Sequence, residues 1–176
     1  GRAVGLDGCQ SQRGQGTGEM ASTEIELRVE AVALDWRGNP IIVLREKEGH
    51  RAVFIWVGLS EATAINMHLE NQRPPRPMTH DLIVSILQEV EVEVERVKVT
   101  DMQGVTYYAT LDLRDGDDRT SIDCRPSDAI AVALRARAPI HIDEELLNRL
   151  DEQRKDTGVE LSPGAMLVEP GEPTVH

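Results

Sequence analysis

Apolar and polar positions alternate from the first ordered-looking stretch of the chain. Ile25, Leu27, Val29, Ala31 and Ala33 interleave with Glu24, Glu26, Arg28 and Glu30, the period-two signature of a half-buried strand. Asp35-Trp-Arg-Gly-Asn-Pro40 predicts a turn. Ile41–Leu44 and Ala52–Val57 predict two further strands, joined through Glu46–His50 as a hairpin containing Gly49. The period then changes. A helix is expected from Ser60 with Ala64, Ile65 and Leu69 inside, and it must stop before Pro74-Pro75-Arg76-Pro77, which cannot continue a helix. Thr79 is the expected cap of a second helix, whose Leu82, Ile83, Ile86, Leu87 and Val90 make one apolar face.

The pattern then begins again. Val92, Val94, Val97 and Val99 predict a strand whose phase slips near Arg96, as at a bulge. Asp101-Met-Gln-Gly104 predicts a turn, and Val105–Leu113 alternates as a strand. Asp115-Gly-Asp-Asp118 predicts a hairpin leading to the strand Thr120–Cys124. Pro126 opens a helix with Ala129, Ile130, Ala133 and Leu134 inside. Ile140 and Ile142 predict a short strand, and Asp143 is the expected cap of a last helix carrying Leu146, Leu147 and Leu150. Glu89, Glu91, Glu93 and Glu95 read as the solvated face of a strand.

Laid over each other, the halves agree. Asp35-x-x-Gly38 matches Asp101-x-x-Gly104. Ile55-Trp-Val-Gly-Leu-Ser-Glu-Ala-Thr-Ala-Ile65 matches Ile122-Asp-Cys-Arg-Pro-Ser-Asp-Ala-Ile-Ala-Val132 without a gap. The expectation is an internal duplication of a strand-strand-strand-helix-helix unit. Hairpin-length links favour an α+β fold, a β-rich mixed or antiparallel sheet with about four helices, over a doubly wound parallel sheet.

Composition adds limits. At 176 residues the chain suits one domain, expected over 23–155. Residues 1–22, rich in Gly and Gln, are expected to be a disordered tail with Met20 as an alternative start, and 156–176 a second tail with an apolar patch at Met166–Val168. One Phe, two Trp and two Tyr leave the core to Val, Ile, Leu and Ala. No run reaches the roughly 18 apolar residues of a membrane span, and the chain start lacks a signal-peptide core, so the expected address is cytoplasmic. Cys9 and Cys124 lie in unlike settings, so neither a disulfide nor a zinc site is expected. The net charge of −12 argues against a generic grip on nucleic-acid phosphates but not against a local basic pocket.

Three helix starts hold the candidate chemistry: Ser60-Glu61, Thr79-His80-Asp81 and Arg125-Pro126-Ser127-Asp128. Helix capping accounts for a hydroxyl followed by an acid, and Glu61 has only that reading. His80 is different, because a charged imidazole is poorly placed at a helix N-terminus. Beside a carboxylate it suits a general base. Arg125 at a helix mouth suits phosphate, with a salt bridge to Asp123 or Asp128 as the structural alternative. Arg73 and Arg76 form a basic patch just before His80. His50, His68, His141 and His176 belong to no cluster.

Four motifs, in order, resemble the bifunctional nuclease domain family: Ile55-Trp-Val-Gly-Leu-Ser-Glu-Ala62, Pro75-Arg-Pro-Met-Thr-His-Asp-Leu82, Gly104-Val-Thr-Tyr-Tyr-Ala109, and Ile122-Asp-Cys-Arg-Pro-Ser-Asp-Ala-Ile-Ala131 followed by Ala138-Pro-Ile140. The resemblance covers about Ile25 to Leu150. It departs at Cys124, where the family usually has Ala, and it accounts for neither the acidic surface nor the first 20 residues. It implies an α+β domain of bacteria and plants, a homodimer, and hydrolysis of RNA and DNA. On that reading His80, Asp81 and Asp128 are the candidate catalytic residues. Arg76, Arg125 and Ser127 are the candidate phosphate ligands, and Asp81, Asp123 and Asp128 the candidate carboxylates for Mg²⁺. The competing expectation is a non-catalytic dimeric binding or regulatory module, favoured by the acidic charge and the few aromatics available to stack on bases.

Overall fold

Every strand that alternates in the sequence joins one sheet. The computed structural model describes residues 23–157, with side chains described as far as Arg154. The expected tails, 1–22 and 158–176, lie outside them, as does the Met166–Val168 patch. The elements run β1 (Glu24–Leu34), β2 (Pro40–Glu46), β3 (Ala52–Trp56), α1 (Leu59–Leu69), α2 (Thr79–Glu89), β4 (Glu93–Gln103), β5 (Thr106–Asp115), β6 (Asp118–Cys124), α3 (Pro126–Ala136), β7 (Ile140–Asp143) and α4 (Glu144–Thr157). The seven strands form a mixed sheet in the order β3-β2-β1-β7-β4-β5-β6, with β4–β7 the parallel pair. This is the expected α+β class.

The expected repeat is not reproduced in full. Three strands lead into α1 and three into α3, but α2 follows α1 directly, whereas β7 separates α3 from α4. Element order alone does not establish a duplication. β7 enters the middle of the sheet, antiparallel to β1 and parallel to β4, so each half contributes one flank.

Pairing register sets the core. Leu27 opposes Ile140, Ile25 opposes Ile142, and Val97 and Val99 oppose the same two isoleucines from the other side. Leu27, Val97, Val99, Ile140 and Ile142 join Ile42, Leu44, Ile65, Ile130 and Leu147 in one buried cluster, with the partly buried Ile25 packed against it. Residues of opposite phase are ionic: Lys98 reaches Glu24 at 3.1 Å and Asp143 at 2.8 Å, while Arg96 holds Glu24 and Asp112. The bulge expected near Arg96 lies between Val94 and Arg96, and a second register shift follows between Val99 and Asp101.

Three local expectations need correction. Asp101–Gly104 is not the β4–β5 turn, because both strands run further and only Gly104-Val105 separates them; Gly104 takes φ +62°, which suits glycine. Glu89 ends α2 and Glu91 has φ +58°, so only Glu93 and Glu95 lie on the strand, where they pair with Arg114 and Arg119. Asp143, the last residue of β7, stands directly before α4 at the expected cap position, and its carboxylate reaches Lys98. The apolar face of α2 is narrower than its periodicity suggests. Val84 is buried and Ile83 and Leu87 are half-buried, but Leu82, Ile86 and Val90 are exposed, because α2 packs chiefly on α3 and only lightly on β4.

Helix α3 is the most enclosed of the helices, with Pro126, Ser127 and Ala129–Ala133 all buried. α1 and α2 pack against it, and it covers β4 and β5. Ile130→Ala is therefore expected to cost about 2–5 kcal/mol, read as a lower urea midpoint with an unchanged denaturant slope.

Candidate functional site

The packing of α1 and α2 on α3 brings helix starts together. None is capped as expected: the N-cap positions are Gly58, Met78 and Arg125, each with extended backbone and no side-chain cap hydrogen bond. Ser60, Thr79 and Ser127 already belong to the first turns, so their hydroxyls are not in the cap position, which is the last extended residue.

The charged residues of those first turns meet. His80 is buried, with Nε2 3.3 Å from Asp128 Oδ1. A carboxylate only accepts, so this geometry puts the imidazole proton on Nε2, and Nδ1 makes no hydrogen bond among the described residues. Asp128 also receives Arg125, with Nε 2.7 Å from Oδ2 and an Nη 2.9 Å from Oδ1. The same guanidinium reaches Glu61 Oε1 of α1 at 2.9 Å. Glu61, Arg125, Asp128 and His80 thus form one connected polar chain across three helix starts.

Burial alone would raise the Asp128 carboxyl, but hydrogen bonds from Arg125 and His80, and their charges, outweigh it and hold Asp128 below the ordinary carboxylate value. The Arg125 guanidinium is pushed up, first by its hydrogen bond to Asp128 and then by that carboxylate's charge. It remains largely exposed, at 65%, so one face of the pair is open to solvent.

The other candidates divide. Asp81, next to His80, turns away. Its Oδ2 accepts the Met78 N–H at 2.8 Å and its Oδ1 accepts Arg135 Nε at 2.5 Å. Arg135, almost wholly buried, also donates to the Ala64 and Ala131 carbonyls and so ties α1, α2 and α3 together. Burial would raise Asp81, but the Met78 N–H and Arg135 hold it below its ordinary value. Ser127 is buried at the second position of α3. Arg76 is exposed in the loop before α2, with no ion pair among the described residues. Asp123 is exposed near the end of β6. Among the described residues no three His, Cys, Asp or Glu side chains group as a metal site, so the Mg²⁺ candidates do not form a ready-made cage. Glu61 and Arg135 were not expected here. Glu61 had one signal: its gapless alignment with Asp128 places two acids at equivalent helix starts.

The family model of the bifunctional nuclease domain matches residues 42–155, which hold Glu61, His80, Arg125 and Asp128. This chain belongs to that family. An uncharacterised protein of Mycobacterium tuberculosis is 38% identical over 123 residues, covering 69% of this chain and 73% of that protein. Bifunctional nuclease 1 of Arabidopsis thaliana is 28% identical over 116 residues, 64% of this chain and 36% of the plant protein. Bifunctional nuclease 2 of the same plant is 30% identical over 109 residues, 60% of this chain and 33% of its own length. The matches therefore span about a third of each of these two plant relatives.

The depressed Asp128 carboxyl stabilises the fold with a defined pH dependence. Its contribution is complete above the unfolded carboxyl value, near 4, and is lost as pH falls through the lower folded value. In urea titrations, the pH-dependent part of the stability gap between parent and Asp128→Asn is expected to be flat above about pH 5 and to shrink below about pH 4.

Proposed function

We propose that this domain hydrolyses phosphodiester bonds in RNA and DNA. The observation that carries the reading is the His80–Asp128 contact of 3.3 Å, set beside the solvent-facing Arg125 guanidinium. Membership of the bifunctional nuclease domain family supports the same chemistry.

In this reading Asp128 fixes the imidazole with its proton on Nε2, and the free Nδ1 takes a proton from the attacking water. The water oxygen bonds to phosphorus, the bond to the departing ribose or deoxyribose oxygen breaks, that oxygen takes a proton from solvent water, and the imidazolium returns its proton to solvent. Arg125 offsets charge on the non-bridging oxygens as it grows, which a guanidinium does best when already positioned. The first-turn N–H groups of α3, Ser127 included, add positive potential at the same place. Arg76 extends that potential along the loop. Asp81 serves as a positioning residue, holding the start of α2 through Met78 and Arg135. Among the described residues the carboxylates do not build a Mg²⁺ cage.

The proposed partners are single-stranded nucleic acid and a second copy of the chain, and the proposed compartment is the cytoplasm. No helix among the described residues is long and apolar enough to cross a membrane.

Purified protein incubated with single-stranded RNA and DNA tests the reading, with EDTA separating this route from one through Mg²⁺. His80→Ala is expected to lower kcat by about 10²–10⁴-fold, the usual share of a general base. Arg125→Ala is expected to reduce kcat/KM while leaving the fold intact. Cleavage by a His80→Ala, Asp128→Ala double variant equal to the parent's would overturn it.

A further inference from the structure

The dyad occupies one side of the start of α2, and the other side opens on a cavity. It measures about 480 Å³ and lies between the end of α1, the loop 70–78 and α2. That volume falls within the roughly 300–1,000 Å³ typical of small-molecule sites. Its walls combine apolar surface from Met67, Pro77 and Val84 with the imidazole of His68 and the amide of Gln88. The carboxylate in the lining, Asp81, is already neutralised by Arg135 and does not repel an anion. Burial, and then the nearby Arg135 and Arg137 cations, hold His68 below its ordinary pKa against the opposing pull of Asp81, which favours the neutral ring. A neutral imidazole and an amide each offer one donor side and one acceptor side, the pattern on a nucleobase edge.

The cations point the same way. Many other guanidiniums among the described residues are taken: Arg45, Arg51, Arg96, Arg114, Arg119 and Arg149 all pair with carboxylates. Arg73 makes no ion pair or hydrogen bond among the described residues, and it lines this cavity. Arg76 is equally free, three residues further along the same loop.

We propose that this cavity binds one nucleotide of the substrate strand, with the base between the Met67 and Pro77–Val84 walls and its phosphate on Arg73. The ligand's identity rests on the nuclease reading; the cavity and its free cation do not. Since His80 and Asp81 are adjacent in the first turn of α2, the strand passes from this subsite over the helix start to the dyad. The polar residues His68 and Gln88 then make cleavage depend on the base beside the broken bond.

Calorimetric titration of the full chain with adenosine 5′-monophosphate, and separately with inorganic phosphate, tests this. The nucleotide is expected to bind more tightly than phosphate. Arg73→Gln should weaken it by about tenfold or more, the scale of one lost charged contact. Ser85→Trp, which places an indole on the exposed rim, should abolish it while leaving the far-ultraviolet dichroism unchanged. Equal affinity for phosphate and nucleotide, or nucleotide binding unchanged in both variants, would overturn the proposal. The two readings fail separately. Absent cleavage with cavity-dependent nucleotide binding removes the nuclease assignment and keeps the subsite, whereas base-independent cleavage with unaltered binding in both variants removes the subsite alone.

Discussion

The burial of α3 is the constraint on which the rest depends. With Ala129, Ala131 and Ala133 as small contact residues, neighbouring elements approach closely, and α1 and α2 both pack on this one helix above β4 and β5. Asp128 is carried by that helix into a partly covered position, where an unpaired carboxylate would be costly. Arg125 and His80 answer it, and Glu61 gives the guanidinium a second partner. The ordering of the candidate site is thus a product of core packing. The Arg135 ties to Asp81, Ala64 and Ala131 act on the same three helices from within and keep their relative placement fixed.

Much of the fold was legible because strand alternation is a local signal: β1, β5 and their neighbours read directly, and even the slip at Arg96 showed as a change of phase. The helix caps were not, since the hydroxyl residues Ser60, Thr79 and Ser127 that mark each helix start lie one or two positions inside it, past the cap itself. The exposed side of α2 was hidden for a different reason. Periodicity reports which positions share a face, but Leu82, Ile86 and Val90 remain open because too little of the sheet lies against α2. In the site, the pairing of His80 with Asp128 spans 48 residues and Arg135 with Asp81 spans 54, distances over which residue spacing carries no information. The helix-start pattern pointed to His80, Arg125 and Asp128, whereas Glu61, read there only as a cap, gained its partner Arg125 through tertiary packing.

The net charge of −12 and a nucleic-acid partner are compatible once charge is followed locally. Many carboxylates are neutralised within the sheet, as in the Glu24–Arg96–Lys98–Asp143 network and the Glu30–Arg45 pair. Screening limits the reach of the remainder to about 8 Å at physiological salt. By contrast, Arg125 is largely exposed although paired with Asp128 and Glu61, and Arg73 and Arg76, in the loop before α2, make no ion pair among the described residues. Under the proposed function, those loop cations are where a strand would meet positive charge on an otherwise acidic molecule.

The central claim is that Asp128 orients His80, and the imidazole nitrogens report it directly. Nitrogen-15 spectra of the labelled full chain in mildly alkaline solution distinguish the two neutral tautomers. The account predicts that His80 carries its proton on Nε2 in the parent and loses that preference in Asp128→Asn. A His80 protonated on Nδ1 in the parent, or a tautomer unchanged by Asp128→Asn, would contradict it.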